Sequence, residues 1–192
     1  MRKLVLSMFL SVDGFIDGPG GEFIGPDWSA DLDRWTAEMI DRFDTLLFGR
    51  AAWQLMSAHW PRAEANLEVS APQHAVAVFM NGSRKILFTR SLSDASAWAN
   101  TEIAAQGLAE TVAAEKAKPG KDMVIFAGAK FAQTAMRAGV IDEYWLLTIP
   151  MLFGGGSRLF EGMADRTRLA LLDSRTMDTG AVLSRYRVAR HQ

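Results

Sequence analysis

The chain contains no cysteine. That excludes a disulfide framework, a thiolate nucleophile and any Cys-ligated zinc site, and it suits a reducing compartment, so a cytoplasmic protein is expected. Its three histidines, His59, His74 and His191, are far apart and never take an H-E-x-x-H spacing, so no metal is expected. Neither charge sign dominates: Lys+Arg 21 against Asp+Glu 22 gives a net charge of −1. A general electrostatic grip on nucleic acid or on an anionic membrane is not expected from that balance. No apolar run is long enough to cross a bilayer. Arg2 and Lys3 before Leu4–Leu10 imitate the start of a signal peptide, but Ser11-Val12-Asp13-Gly14-Phe15-Ile16-Asp17-Gly18 stands where a small-residue cleavage site belongs. The segment reads instead as a buried strand. Also missing are G-x-G-x-x-G after a strand, G-x-x-x-x-G-K-[ST] and a G-x-S-x-G elbow, which removes the usual Rossmann, P-loop and hydrolase readings.

What is present is the composition of a soluble globular domain: 192 residues, 49% hydrophobic and 22% charged. One domain spanning 1–192 is expected. Strand-like and helix-like runs alternate, which predicts an α/β fold with a mostly parallel sheet. Strands are predicted at Leu4–Leu10, Thr45–Phe48, Lys85–Thr89, Met123–Phe126 and Tyr144–Phe153, the last read as central and buried on both faces. A helix should start after Asp27 or Ser29 and carry Leu32, Trp35, Met39, Ile40 and Phe43 on one stripe. Further helices are predicted over Arg50–Ser57, Pro72–Met80, Gly107–Ala117 and Ala129–Ala138, with Gly139 closing the last. Pro61–Ala71 reads as a polar surface excursion. Leu169–Met177 and Ala181–Ala189 flank Asp178-Thr179-Gly180 as a C-terminal antiparallel hairpin.

Three junctions place small or basic residues at the carboxyl end of a strand: Phe48-Gly49-Arg50-Ala51, Phe88-Thr89-Arg90-Ser91 and Phe126-Ala127-Gly128-Ala129-Lys130. Ligands of open α/β sheets collect there, and helix N-termini offer free N–H groups and partial positive charge to phosphate. Gly49 and Gly128 let backbone approach a ligand closely, while Arg50, Thr89, Arg90 and Ser91 can make charge-assisted contacts.

Those residues also carry a family resemblance. Ala30-Asp31-Leu32 with Trp35, followed by Gly49-Arg50-Ala51-Ala52-Trp53, is similar to the dihydrofolate reductase pattern of an acidic helix and a G-R-x-T-W junction. Ser11-Val12-Asp13-Gly14-Phe15-Ile16 and Asp142-Glu143-Tyr144-Trp145, running into Pro150-Met151-Leu152-Phe153-Gly154-Gly155-Gly156, resemble more closely the C-terminal reductase domain of riboflavin-biosynthesis deaminase-reductases and its stand-alone relatives. The resemblance implies a dihydrofolate reductase-like fold, NADPH as cofactor, and hydride transfer to a pyrimidine- or pterin-like ring. It places Gly49, Arg50 and Ala51 at the cofactor phosphates, Thr89, Arg90 and Ser91 at the 2′-phosphate, and Gly128, Ala129, Lys130 and Phe131 at the pyrophosphate. Leu152, Phe153, Gly154 and Gly155 would share that edge, and Asp31 would assist protonation of the substrate. The sequence departs from the pattern at Ala52, where threonine is usual, at Ala127 in place of the first glycine of a Gly-Gly turn, and at Phe126, where the deaminase-reductases carry an acidic residue.

Several candidates keep two readings. Asp31 in a first helical turn is favoured by the helix dipole, yet it also lies one turn before Trp35 beside an apolar cleft. Asp13 is either turn chemistry or a substrate contact past the first strand, and Thr148 bonds either a substrate or its own surroundings. Trp28 and Trp53 fall at loop or junction positions where an indole can stack on a ring. His59 is read as a helix-end side chain, and Arg158, Arg166 and Arg168 as a solvated basic run. Two functions follow: an NADPH-dependent reductase of a small heterocycle, or a nucleotide-binding or interaction module of the same fold without catalysis. A homodimer is expected, with the Tyr144–Phe153 strand and the hairpin leaving an edge for a partner.

Overall fold

The computed structural model describes residues 1–66, 68–163 and 166–189; His191 lies outside them. Eight strands form one sheet in the order β4-β3-β2-β5-β1-β6-β8-β7. They are β1 (Leu4–Ser11), β2 (Phe43–Gly49), β3 (Arg84–Phe88), β4 (Thr101–Ile103), β5 (Asp122–Ile125), β6 (Glu143–Ile149), β7 (Leu169–Thr176) and β8 (Val182–Val188). From β4 to β6 every neighbouring pair is parallel, and β6-β8-β7 is antiparallel. The fold is α/β of the expected kind, with the C-terminal hairpin as its antiparallel end.

Side-chain alternation divides the sheet between two cores. Val5, Leu46, Phe48 and Val124 point to one face with Trp35, Met39, Trp53 and Met80. Leu4, Leu6, Leu47, Met123 and Ile125 point to the other with Val112, Ala132 and Met136. Helices α1 (Ala30–Arg42), α2 (Arg50–Ala65) and α3 (Ala71–Gly82) therefore cover the first face, and α4 (Leu108–Ala117) and α5 (Ala129–Arg137) the second. Ser29 caps α1 by accepting the Leu32 N–H at 3.2 Å. Gly139 leaves α5 at φ +64°, the left-handed turn its position predicted.

Two predicted boundaries change. Helix α2 does not stop at Ser57 but continues through Pro61 to Ala65, so the first part of the supposed excursion is helical. Proline removes the donor that would meet Ser57 O, and the turn that follows it is tied to α3: Asn81 Nδ2 donates to Trp60 O at 3.0 Å and to the Glu64 carboxylate, while His74 Nε2 meets Glu64 O at 3.1 Å. Strand β6 ends at Ile149, because Pro150 cannot continue the ladder, and Met151 and Leu152 are exposed rather than buried. That strand is also internal, between β1 and β8, so the free edge of the hairpin belongs to β7. Strand β4, short and partly exposed, has no counterpart in the sequence reading.

Candidate functional site: a crevice at the switch point

Strands β2 and β5 are neighbours, yet the helices that follow them leave to opposite faces. This is the topological switch point of the sheet, where the ends of two helices face each other across a crevice outside the strand carboxyl ends. A cavity of about 450 Å³ occupies it, within the range of small-ligand sites. Gly49 is the N-cap of α2 and Gly128 the N-cap of α5, and neither end has a side-chain cap. The first-turn N–H groups of both helices are thus without intrahelical acceptors and border the cavity.

Both glycines sit where an added side chain would be tight. A Cβ on Gly49 would stand 3.0 Å from Phe131 Cβ, and one on Gly128 would stand 3.1 Å from Ala52 Cβ. Gly128 also sits at φ +90°, which side-chain-bearing residues rarely adopt. Arg50 reaches from α2 to the next strand end, donating from Nη1 to Ser91 Oγ at 2.9 Å. There Thr89 Oγ1 accepts the N–H groups of Ser91 and Leu92, both at 3.2 Å, which folds the β3 exit into a tight polar turn. Arg90 is exposed beside it. The predicted set Gly49, Arg50, Ala51, Gly128, Ala129, Lys130 and Phe131 all line the cavity, and Thr89, Arg90 and Ser91 stand at its Arg50 end.

The opposite wall is apolar and was missed by sequence reasoning, except that Phe126 had been noted as a departure. Met8, Phe9, Ile16, Phe23 and Met56 contribute to it. Phe23 is 70% exposed and Leu55 63% exposed, although both line the cavity. Such exposure of large apolar side chains at a concave site was the signal available, but only once the loop before α1 was seen to return over β1. Asp17 is on the wall too, and its Oδ1 accepts the Ser157 N–H at 2.5 Å.

The remaining candidates stand elsewhere. Asp13 accepts the N–H groups of Phe153 and Gly154 at 3.0 and 2.9 Å, so it pins the loop after β6. The Ser11 hydroxyl, with those two N–H groups, holds its carboxyl at about 2. Leu152, Phe153, Gly154 and Gly155 form that pinned loop behind the cavity rather than its wall. Asp31, in the first turn of α1, accepts the Asp178 N–H on Oδ2 at 2.7 Å and pairs with Arg34 through Oδ1. It ties the hairpin to α1 and is not on the wall. Trp53 is only 4% exposed, packed in the core with Nε1 bonded to Thr101 Oγ1 at 3.2 Å, so it offers no face to a ligand. Thr148 lies half-buried in β6 and is not on the wall. Trp28 projects into a separate cavity between α2 and α3. Among the described residues no group of three or more His, Asp or Glu side chains is gathered as a metal site.

A mostly parallel sheet with two bare helix N-termini across its switch point defines an α/β protein of the dihydrofolate reductase-like type. The chain belongs to the RibD C-terminal domain family, which it matches over residues 2–183. It is 28% identical over 185 residues to YyaP of Bacillus subtilis (strain 168), an uncharacterized protein, covering 94% of this chain and 92% of that one. Among solved structures it shares its fold with a putative riboflavin biosynthesis protein from Shewanella sp. PV-4, at TM-score 0.77 and 16% identity over 98% of this chain and all of the other (100%). It also superposes on a diaminohydroxyphosphoribosylaminopyrimidine deaminase/5-amino-6-(5-phosphoribosylamino)uracil reductase from Thermotoga maritima. There the TM-score is 0.67 and the identity 16%, over 98% of this chain and 57% of the bifunctional one.

Proposed function

We propose that the protein is an NADPH-dependent reductase of a small pyrimidine- or pterin-like heterocycle. The observation that carries this reading is the convergence of the uncapped α2 and α5 N-termini on one cavity, kept open by Gly49 and Gly128. The residues fit the cofactor: with no side chain at Gly49 or Gly128 the two helix ends stay bare and close, the first-turn N–H groups suit a pyrophosphate, and Arg50, Arg90 and the Ser91–Thr89 turn offer a cationic and hydroxyl set for the 2′-phosphate of the adenosine ribose. NADPH, when bound, supplies the hydride. Phe9, Phe23, Met56 and Phe126 provide the apolar wall that excludes water from a flat ring. With its oxygens engaged by Arg34 and Asp178, Asp31 acts on the substrate proton through ordered water rather than by contact.

The test is a titration with NADPH and, separately, NADH, read by tryptophan fluorescence quenching. NADPH should bind at least tenfold more tightly; binding of neither would end the reading. Once a turned-over heterocycle is in hand, Asp31→Asn should lower its turnover. Unchanged turnover would remove Asp31 from the mechanism.

A second reading, a nucleotide-binding or interaction module without catalysis, is supported by the position of Asp31 off the cavity wall. It predicts NADPH binding without oxidation across a panel of pyrimidines and pterins. The proposal also includes a single domain, action in the cytoplasm, a tie to riboflavin-type chemistry, no nucleic-acid or membrane partner, and a homodimer. Among the described residues no helix is long and apolar enough to cross a membrane. The edge strand β7 exposes Leu171 and Leu172 for a second copy, which light scattering at micromolar concentration would detect.

A further inference from the structure

A second cavity, about 480 Å³ in volume, lies between the C-terminal half of α2, the start of α3 and the Trp28 loop. It shares no lining residue with the switch-point crevice. The two are separated by one turn of α2, where Trp60 Nε1 approaches Met56 Sδ at 3.0 Å: Met56 faces the crevice and Trp60 the second cavity. Two indoles line that cavity. Trp28 is held by its Nε1 bond to Asp33 Oδ1 at 2.5 Å and stays 42% exposed instead of folding onto the core. Trp60 is braced by the edge of His59 at 4.9 Å.

The polar groups of this cavity are one-sided. None of its lining residues is a carboxylate, and Arg62 forms no ion pair among the described residues. The two lining amides have their oxygens already engaged: Asn66 Oδ1 accepts the Glu68 N–H at 3.0 Å, and Gln73 Oε1 accepts the Ser70 N–H at 3.1 Å. An engaged amide oxygen leaves the NH₂ group as the end available to a ligand. The wall therefore presents flat π surfaces, a guanidinium and amide donors; no lining residue is acidic, and the nearby Asp33 carboxylate is engaged by Trp28 Nε1.

We propose that this cavity is a second ligand site, taking a planar aromatic anion whose ring lies against Trp28 and Trp60 and whose carboxylate, sulfonate or phosphate is bound by Arg62 with the Asn66 and Gln73 amides. The site stands on its own donor set and does not depend on the reductase reading.

The probe is 8-anilinonaphthalene-1-sulfonate, with neutral N-phenyl-1-naphthylamine as its uncharged counterpart, both followed by their own fluorescence on the intact chain. The sulfonate should bind at one site per chain and at least tenfold more tightly than the neutral ring. Arg62→Glu should weaken the sulfonate at least tenfold and the neutral ring less than twofold. Ala51→Glu, which puts a carboxylate at the mouth of the switch-point crevice instead, should leave sulfonate binding within twofold. Both side chains are exposed, so neither variant threatens folding. Equal binding of the two probes, indifference to Arg62→Glu, or loss in Ala51→Glu with retention in Arg62→Glu would each overturn the proposal. No nucleotide enters the assay, so a failure to bind NADPH leaves the outcome readable.

Discussion

Gly128 and Ala52 hold the two facing helix ends apart by the width of a single methyl group, since a Cβ on Gly128 would lie 3.1 Å from that of Ala52. The dihydrofolate reductase pattern that the sequence resembles has threonine at the Ala52 position, so restoring it is the obvious repair. The geometry predicts damage instead. Ala52 is buried, and two extra heavy atoms there press on the Gly128 backbone, costing about 1–3 kcal/mol as overpacking. Ala52→Thr should lower the melting temperature by several degrees and weaken nucleotide binding at least tenfold. Tighter binding at unchanged melting temperature would show that the crevice is wider than described.

Arg50 and Ser91 come from different strand ends, 41 residues apart, and meet at 2.9 Å. A guanidinium presented on an exposed hydroxyl is free to turn to the 2′-phosphate of the adenosine ribose, which NADPH has and NADH lacks. Arg50→Ala should weaken NADPH at least tenfold and NADH less than threefold, measured by titration of each. An equal loss for both would place Arg50 at the pyrophosphate.

The strand-to-helix junctions were legible in the sequence because each is local: Gly49-Arg50 and Gly128-Ala129 follow apolar runs by no more than a residue or two, and helix N-termini at such places have one geometry. Trp53 was misjudged for the complementary reason. Its place in the core is set by Thr101 on β4, a strand too short and too polar to announce itself. The extent of α2 was hidden by Pro61, which breaks most helices. Here the helix runs on through it, and its last turn is tied down by Asn81 and His74, both on a later helix. Asp13 and Asp31 looked like site carboxylates from their neighbours in sequence, whereas their partners, Phe153 and Asp178, are 140 and 147 residues away.

Asp13 binds the loop after β6 through two backbone N–H groups, and its carboxyl is held at about 2 in the folded chain. Because that lies below the unfolded value of about 3.9, the contribution is present above pH 4 and is lost as pH falls toward 2. Asp13→Asn removes it at every pH. Hydrogen exchange at Phe153 and Gly154 should therefore accelerate in the wild type between pH 4 and 2, relative to the chain average, and should already be fast in the variant at pH 7. Equal protection in both proteins would mean that the loop is held by other contacts.

Lys85 is wholly buried at the start of β3, where its ammonium donates to the carbonyls of Asn81, Ser83 and Ala99 at 2.9, 2.7 and 3.0 Å and stands 4.6 Å over the Trp98 ring. The three carbonyls close the end of α3 and fix the turn leading to β4, so the charge has a structural use. Burial nevertheless pushes it down to about 8. A lysine depressed in the fold binds fewer protons there than in the unfolded chain between pH 8 and about 10.4, and stability must rise with pH across that window. The slope approaches about 1.4 kcal/mol per pH unit for one group. Tyr144, whose phenol is pushed up by burial, acts in the opposite sense once unfolded tyrosine ionises near pH 10, so the window to measure is pH 8 to 9.5. Urea unfolding should give a rising free energy there in the wild type and a flatter line in Lys85→Met. That variant should also lose about 2–4 kcal/mol at pH 7, because three buried carbonyls lose their donor. A wild-type line as flat as that of the variant would mean that Lys85 keeps its proton well above pH 9.5, with the three carbonyls outweighing burial.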